Sequence, residues 1–267
     1  MYAIKYYKIN DIPVMELIPQ TLDNQPAPLA IFYHGWENTK DGTIAHGLQI
    51  AKRGFRTIIP DALYHGERRI PHKVIGQDQI VQVIQRNIKE YDQLIEYYQS
   101  RNLIKDDYIT VSGLSMGGMT TWLLLAKYPS IKASTILMGS PYVVDFLSKR
   151  RKIYDCALSI SEFNQCLDFI SEFDIYKQAE KIDGRPISIW HGTADSMVPF
   201  DQAKEFYQSI KEASYAKYVY FTPGEGADHR VPNMEMVRMG EFLQASYLED
   251  KDDIWKVTED RMSELYD

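Results

Sequence analysis

Tyr108-Ile109-Thr110-Val111-Ser112-Gly113-Leu114-Ser115-Met116-Gly117-Gly118 is the stretch on which the reading of this chain turns. Tyr108 to Val111 is a short apolar strand pattern, Gly113 to Gly117 spells G-x-S-x-G, and a helix-forming run through Lys127 follows at once. Strand, sharp turn and helix in that order are the setting of a nucleophile elbow. The serine at the tip takes a strained backbone conformation. The residues two away on either side must therefore be tiny, as Gly113 and Gly117 are. The hydroxyl then stands clear of the sheet, facing the N–H of Met116 and a helix N-terminus. Composition alone would produce the five-residue pattern in about one such chain in twenty, so its weight comes from its surroundings.

Outward from the elbow, strand and helix patterns alternate. Residues 2–9 and 12–18 read as a hairpin around the turn pair Asn10-Asp11. Leu29 to Tyr33, Arg56 to Pro60, Ala133 to Met138, Pro186 to Trp190 and Tyr218 to Phe221 read as further strands. Helical spacing runs from Asp41 to Arg53, with Gly54 closing it. It returns in Ile80, Ile84, Ile88, Tyr91, Ile95 and Tyr98, with Asp78 as the expected cap. Asp201 to Ala213 and Pro232 to Leu248 supply two more helices, and the charged tail beyond Glu249 has room for a short one. Alternation of this kind predicts an α/β fold with a doubly wound, mostly parallel sheet. Residues 141–182 break the rhythm. They read as a helical, cap-like insertion after the sixth core strand, too short to bury a core of its own, so 1–267 is expected to be one domain.

The chain has 267 residues, a net charge of −7, 45% hydrophobic and 25% charged residues, as expected of a globular protein in water. Lys and Arg are scattered, and the single basic run, Lys149-Arg150-Arg151-Lys152, reads as a solvated face. Nucleic-acid and membrane partners are therefore not expected. Cys156 and Cys166 form no C-x-x-C pair and are too few for a disulfide framework, so both are expected reduced. The first residues carry no basic and apolar signal pattern, and no apolar run approaches the ~20 residues of a membrane span. A cytoplasmic location is expected, as a monomer or homodimer.

In a sheet of this kind, ligands bind at the carboxyl ends of the strands. The strand ends here carry His34-Gly35-Trp36, Asp61 with His65-Gly66, Ser115, His191-Gly192-Thr193-Ala194-Asp195, and Gly224 through His229. A triad on this architecture runs serine, acid, histidine, which leaves His191 and His229. His229, in a loop that can swing over the serine, is the expected base. Asp195 is the expected acid; its competitor Asp228 adjoins His229 in sequence, which makes the geometry awkward. Met116 and Trp36 are the expected oxyanion-hole N–H donors, with Gly35 allowing close approach and His34 orienting the loop. Trp36, Tyr64, Tyr142, Phe146 and Phe163 are candidate walls of the substrate pocket. No H-x-x-x-H pattern is present, so no metal is expected.

Taken together, these five motifs resemble the α/β-hydrolase superfamily over roughly residues 12–247. The nearest resemblance is to the branch of small bacterial serine esterases related to the dienelactone hydrolases and the prolyl-oligopeptidase catalytic domain. That resemblance implies hydrolysis of small-molecule esters without a cofactor. Two features depart from it. Dienelactone hydrolases proper use a cysteine nucleophile where this chain has Ser115, which argues against their substrate, and a counterpart of the oligopeptidase propeller is not expected within residues 1–267. An amide or peptide hydrolase and a non-catalytic hydrolase-fold binding protein are the alternative readings.

Overall fold

The computed structural model describes residues 1–72, 74–153 and 156–266 and gathers the apolar runs into one eight-stranded sheet. Its strands are β1 (Tyr2–Ile9), β2 (Ile12–Pro19), β3 (Ala27–Tyr33), β4 (Arg56–Pro60), β5 (Ile104–Leu114), β6 (Ile131–Leu137), β7 (Ile187–Gly192) and β8 (Val219–Gly224). Their order across the sheet is β1-β2-β4-β3-β5-β6-β7-β8. Only the β1–β2 and β2–β4 pairs are antiparallel. β1 alternates exposed and half-buried residues, as an edge strand with one wet face does. β3 is buried along its whole length because helices cover both faces.

From β3 the chain steps outward to β4, then returns to β5 on the other side and continues away through β6, β7 and β8. The direction of winding thus reverses between β3 and β5, and the crevice beyond the carboxyl ends of those strands is where a ligand site belongs.

Against one face lie α1 (Ile44–Ala51), α7 (Asn233–Leu248) and α8 (Ile254–Tyr266), around Phe32, Phe55, Trp190 and Phe242. The opposite face carries α2 (Ile80–Gln99), α3 (Met116–Lys127) and α6 (Phe200–Ile210). The stretch between β6 and β7 holds α4 (Val143–Arg151) and α5 (Ile160–Ser171). Ser159 opens α5 with a capping box: its hydroxyl accepts from the Glu162 N–H at 3.2 Å and the Glu162 carboxylate accepts from the Ser159 N–H at 2.9 Å. The box fixes the register that turns Phe163, Cys166 and Ile170 inward.

Three local expectations change. β5 begins at Ile104 rather than Tyr108, because Asp106 and Asp107 sit in left-handed backbone at φ 56 and 49 and break the apolar signature. Asp78 does not cap α2. Its carboxylate is buried and accepts from the N–H groups of Ala157 and Leu158 at 3.0 and 2.8 Å and from Arg151 at 3.1 Å, tying the insertion to the start of α2. The basic run is not a solvated face throughout, since Arg151 makes that ion pair and Arg150 turns inward as well. Cys156 is exposed and Cys166 buried, and among the described residues there is no disulfide and no helix long and apolar enough to cross a membrane.

Candidate active site

The elbow is built by steric necessity. Ser115 lies at φ 54, ψ −116, in a region a side-chain-bearing residue enters only when its surroundings force it. A Cβ on Gly113 would strike the Gly117 carbonyl, and one on Gly117 would strike the carbonyl of Tyr33 at the end of β3. With both glycines, α3 can start directly against the sheet. The Ser115 N–H donates to the Leu137 carbonyl at 2.8 Å, which anchors the turn across β6. Met116 is the first helical residue, so its N–H has no partner within α3.

The loop after β3 meets the serine from the side. A Cβ on Gly35 would sit 3.5 Å from the Ser115 Cβ, which measures how close this backbone comes. Residues 35–38 form a turn closed by the Asn38 N–H to the Gly35 carbonyl at 3.2 Å, a bond that leaves the Trp36 N–H unused. Two buried histidines pin the loop. His34 donates from Nδ1 to the Gly35 carbonyl at 2.8 Å and accepts from the Ala62 N–H at Nε2, 3.0 Å. His65 donates from Nδ1 to the Leu63 carbonyl and accepts from the Glu37 N–H at 3.1 Å. Both rings must be neutral to do this, and burial lowers the pKa of each, that of His34 to about 4. Asp61 adds a third tie, accepting from the Lys40 N–H at 2.9 Å and from Lys40 Nζ at 2.8 Å.

On the other side, β7 runs into the turn that carries Asp195. The Asp195 carboxylate is fully buried; Oδ1 accepts from the N–H groups of Met197 and Val198, each at 2.9 Å, and Oδ2 faces His229 Nδ1 at 2.7 Å. His229 Nε2 stands 2.8 Å from Ser115 Oγ. Burial alone would raise the Asp195 carboxyl. The hydrogen bonds from His191, His229 and the Val198 N–H outweigh it and hold the group well below the usual carboxylate range. An ionised Asp195 fixes the tautomer of His229 that leaves Nε2 free to accept a proton from Ser115.

Both competitors from the sequence have other positions. Asp228 accepts from the Ser196 N–H at 3.1 Å and the His229 N–H at 2.8 Å, latching the acid turn to the loop of the base. His191 is wholly buried. Its Nε2–H donates to the Val198 carbonyl at 2.9 Å and lies 3.2 Å from Asp195 Oδ2.

A cavity of about 30 Å³ opens beside Ser115, lined by Trp36, Ile80, Met116, Met119, Phe146 and Val198, and completed by Gln77, Arg150 and Met197. A second, of about 420 Å³, shares Trp36 and is lined by Tyr64, His65, Arg69 and Ile70 among others. Trp36 and Phe146 thus border the space next to the serine, and Tyr64 stands one cavity away. Tyr142 and Phe163 do not. Tyr142 packs against Tyr176 as a tilted pair, 4.2 Å between ring centroids, and lines a separate depression with Asp145 and Asp174. Phe163 is 3% exposed, drawn into the core by the inward face of α5. Sequence reading missed Ile80, Met119, Met197, Gln77 and Arg150: Ile80 at helical spacing reads as core, Arg150 in its basic run reads as solvated, and nothing local marks that any of the five ends at a cavity. Among the described residues no cluster of His, Cys, Asp and Glu could hold a metal ion.

Comparison with known proteins agrees with this architecture. The chain matches the dienelactone hydrolase family over residues 21–230. It is 30% identical to YitV of Bacillus subtilis (strain 168), provisionally named an esterase, over 91% of this chain and 99% of that one. It is 29% identical to the esterase YjfP of Escherichia coli (strain K12), over 86% and 94%. The crystal structure of TT1662 from Thermus thermophilus superposes with a TM-score of 0.70 at 20% identity, over 94% of this chain and 99% of that one.

Proposed function

The chain belongs to the dienelactone hydrolase family, and on that premise we propose that it is a cytoplasmic serine carboxylesterase acting on small-molecule esters. The observation that carries the reading is the unbroken line from Ser115 Oγ through His229 to Asp195, at 2.8 and 2.7 Å, with the serine on a strained elbow. Ser115 Oγ attacks the ester carbonyl while His229 Nε2 takes its proton. The N–H groups of Met116 and Trp36 receive the oxyanion. His229 then protonates the leaving alcohol, and water repeats the cycle on the acyl-enzyme. Asp195 keeps the imidazolium paired throughout. The chemistry needs no cofactor or metal. The protein works as a monomer or homodimer, with no nucleic-acid or membrane partner.

The test is turnover of a p-nitrophenyl acetate or butanoate ester by the wild type and Ser115→Ala. Loss of a triad serine costs on the order of 10⁶ in kcat elsewhere, so a drop of at least about 10³-fold is expected. Undiminished turnover in the variant would remove Ser115 from the mechanism. A wild type that turns over no ester and takes no fluorophosphonate label would favour a binding protein. Faster cleavage of an anilide than of the matching ester would favour the amide-hydrolase reading.

A further inference from the structure

The basic run on α4 is divided by the fold: Lys149 and Lys152 face solvent, Arg151 holds Asp78, and Arg150 turns toward the serine. Arg150 Nε and Nη2 lie 3.3 and 3.0 Å from Gln77 Oε1, and Nη1 lies 3.4 Å from the Met197 carbonyl. The guanidinium also sits over the Phe146 ring, 5.5 Å from its centroid. It therefore bridges three separate pieces of chain: the entry to α2, α4 itself and the turn that carries the acid.

Phe146, Arg150 and Met197 line two cavities at once, and so form the partition between them. On one side is the space of about 30 Å³ that Ser115 borders. On the other is a groove of about 350 Å³, lined also by Lys149, Ile153 and Pro199. A single water needs roughly 10–15 Å³ of such space, so the inner cavity admits two or three heavy atoms. The alkyl chain of an acetyl, propanoyl or butanoyl group, one to three carbons beyond the carbonyl, fits; a longer chain has to pass the partition. Passing it means lifting a planar cation off Gln77 Oε1, the Met197 carbonyl and the Phe146 face, with methylenes in their place.

Resting on the esterase reading, we propose that Arg150 is a chain-length gate, which restricts the enzyme to esters of short acyl groups by separating the serine pocket from the outer groove. Removing the side chain joins the two spaces and turns a short-acyl enzyme into one that accepts medium chains. Each methylene newly admitted to the groove contributes about fourfold to kcat/KM.

The experiment measures kcat/KM for p-nitrophenyl acetate, butanoate and octanoate with the wild type, Arg150→Ala and Gln77→Ala. Gln77→Ala leaves α4 intact and removes the side-chain anchor of Arg150 along with one wall of the inner cavity, so it decides the matter if Arg150→Ala does not fold. The wild type should lose activity steeply beyond butanoate. The octanoate-to-acetate ratio should rise on the order of 10²-fold in Arg150→Ala and roughly tenfold in Gln77→Ala. Fluorophosphonates with ethyl and octyl chains give a second reading, as rates of Ser115 labelling followed by mass spectrometry. An active wild type that prefers octanoate, or a ratio unchanged in both variants, overturns the gate alone. No reaction of Ser115 with any ester or phosphonate overturns the esterase reading and the gate with it.

Discussion

Mild acid should loosen the loop that presents Trp36, and His34 is the group through which it acts. The ring is 1% exposed, and both nitrogens are committed, Nδ1–H to the Gly35 carbonyl and Nε2 to the Ala62 N–H. A proton on Nε2 would face an N–H donor with no water to receive it. Burial is the main reason the pKa falls to about 4, against an unfolded value near 6.5. Between those values the unfolded chain binds a proton that the folded chain refuses. Stability is therefore fully present above pH 6.5, falls as the pH drops through that window, and levels off below about 4. Linkage puts the loss at about 2 kcal/mol between pH 7 and pH 5, a substantial part of the 5–15 kcal/mol typical of a domain. His34→Gln keeps a donor and an acceptor but does not titrate. Urea unfolding of both proteins at pH 7, 6 and 5 measures the difference, expected as a midpoint shift of roughly 0.7 M against the wild type for an m-value near 3 kcal/mol/M. His46, also lowered to about 4, and Asp174, raised to about 6, titrate in the same window with opposite signs. Their contributions cancel when variant is subtracted from wild type. If the two stability curves run parallel from pH 7 to pH 5, the account of His34 as a neutral buried strut is wrong.

Two further predictions concern the frame of the site. Gly117→Ala drives a methyl into the Tyr33 carbonyl, a backbone group that cannot swing aside. A loss of about 3 kcal/mol is expected, seen as a fall in Tm of roughly 6–12 °C together with loss of esterase activity; a variant with wild-type Tm would refute the close approach of α3 to β3. Asp78→Ala removes the carboxylate that joins Ala157, Leu158 and Arg151 to the start of α2. About 2 kcal/mol of local stability should go with it, read as faster amide exchange across α4 and α5 while the sheet strands keep their protection. Uniformly faster exchange over the whole chain would show that the insertion is not separately held.

Much of this arrangement was legible in the sequence because glycine, the strand ends and chain order carry it. Gly113 and Gly117 announce a turn only they can make, and the apolar runs that β3, β4 and β7 use have no alternative but burial on both faces. What escaped notice depends on partners far away in the chain. Asp78 before an apolar helix reads as a cap, and only the two N–H groups nearly eighty residues later turn it into a clamp. Arg150 within four consecutive basic residues reads as solvated, because nothing local says that Gln77 and Met197 will stand in reach. Tyr142, Phe146 and Phe163 are alike as aromatic residues of one helical stretch. Their division into a separate depression, the serine cavity and the core follows from the register the Ser159 box imposes and from how α4 is docked.

The two histidines beyond Ser115 illustrate what chain order can decide and what it cannot. Order admits either; mobility separates them, since His191 is the penultimate residue of a buried strand and His229 lies on a loop past β8. The structure adds that they are not alternatives. Both rings approach the same oxygen, Asp195 Oδ2, at 3.2 and 2.7 Å, while two backbone N–H groups hold Oδ1. Asp195 is then the hub of the arrangement, with three N–H donors of its own and the His191 Nε2–H shared with the Val198 carbonyl, in a place water does not reach, and a carboxylate so supplied stays charged well into acid. The His229 ring bridges Asp195 and Ser115 at 2.7 and 2.8 Å, and the His191 ring shares its carboxylate oxygen.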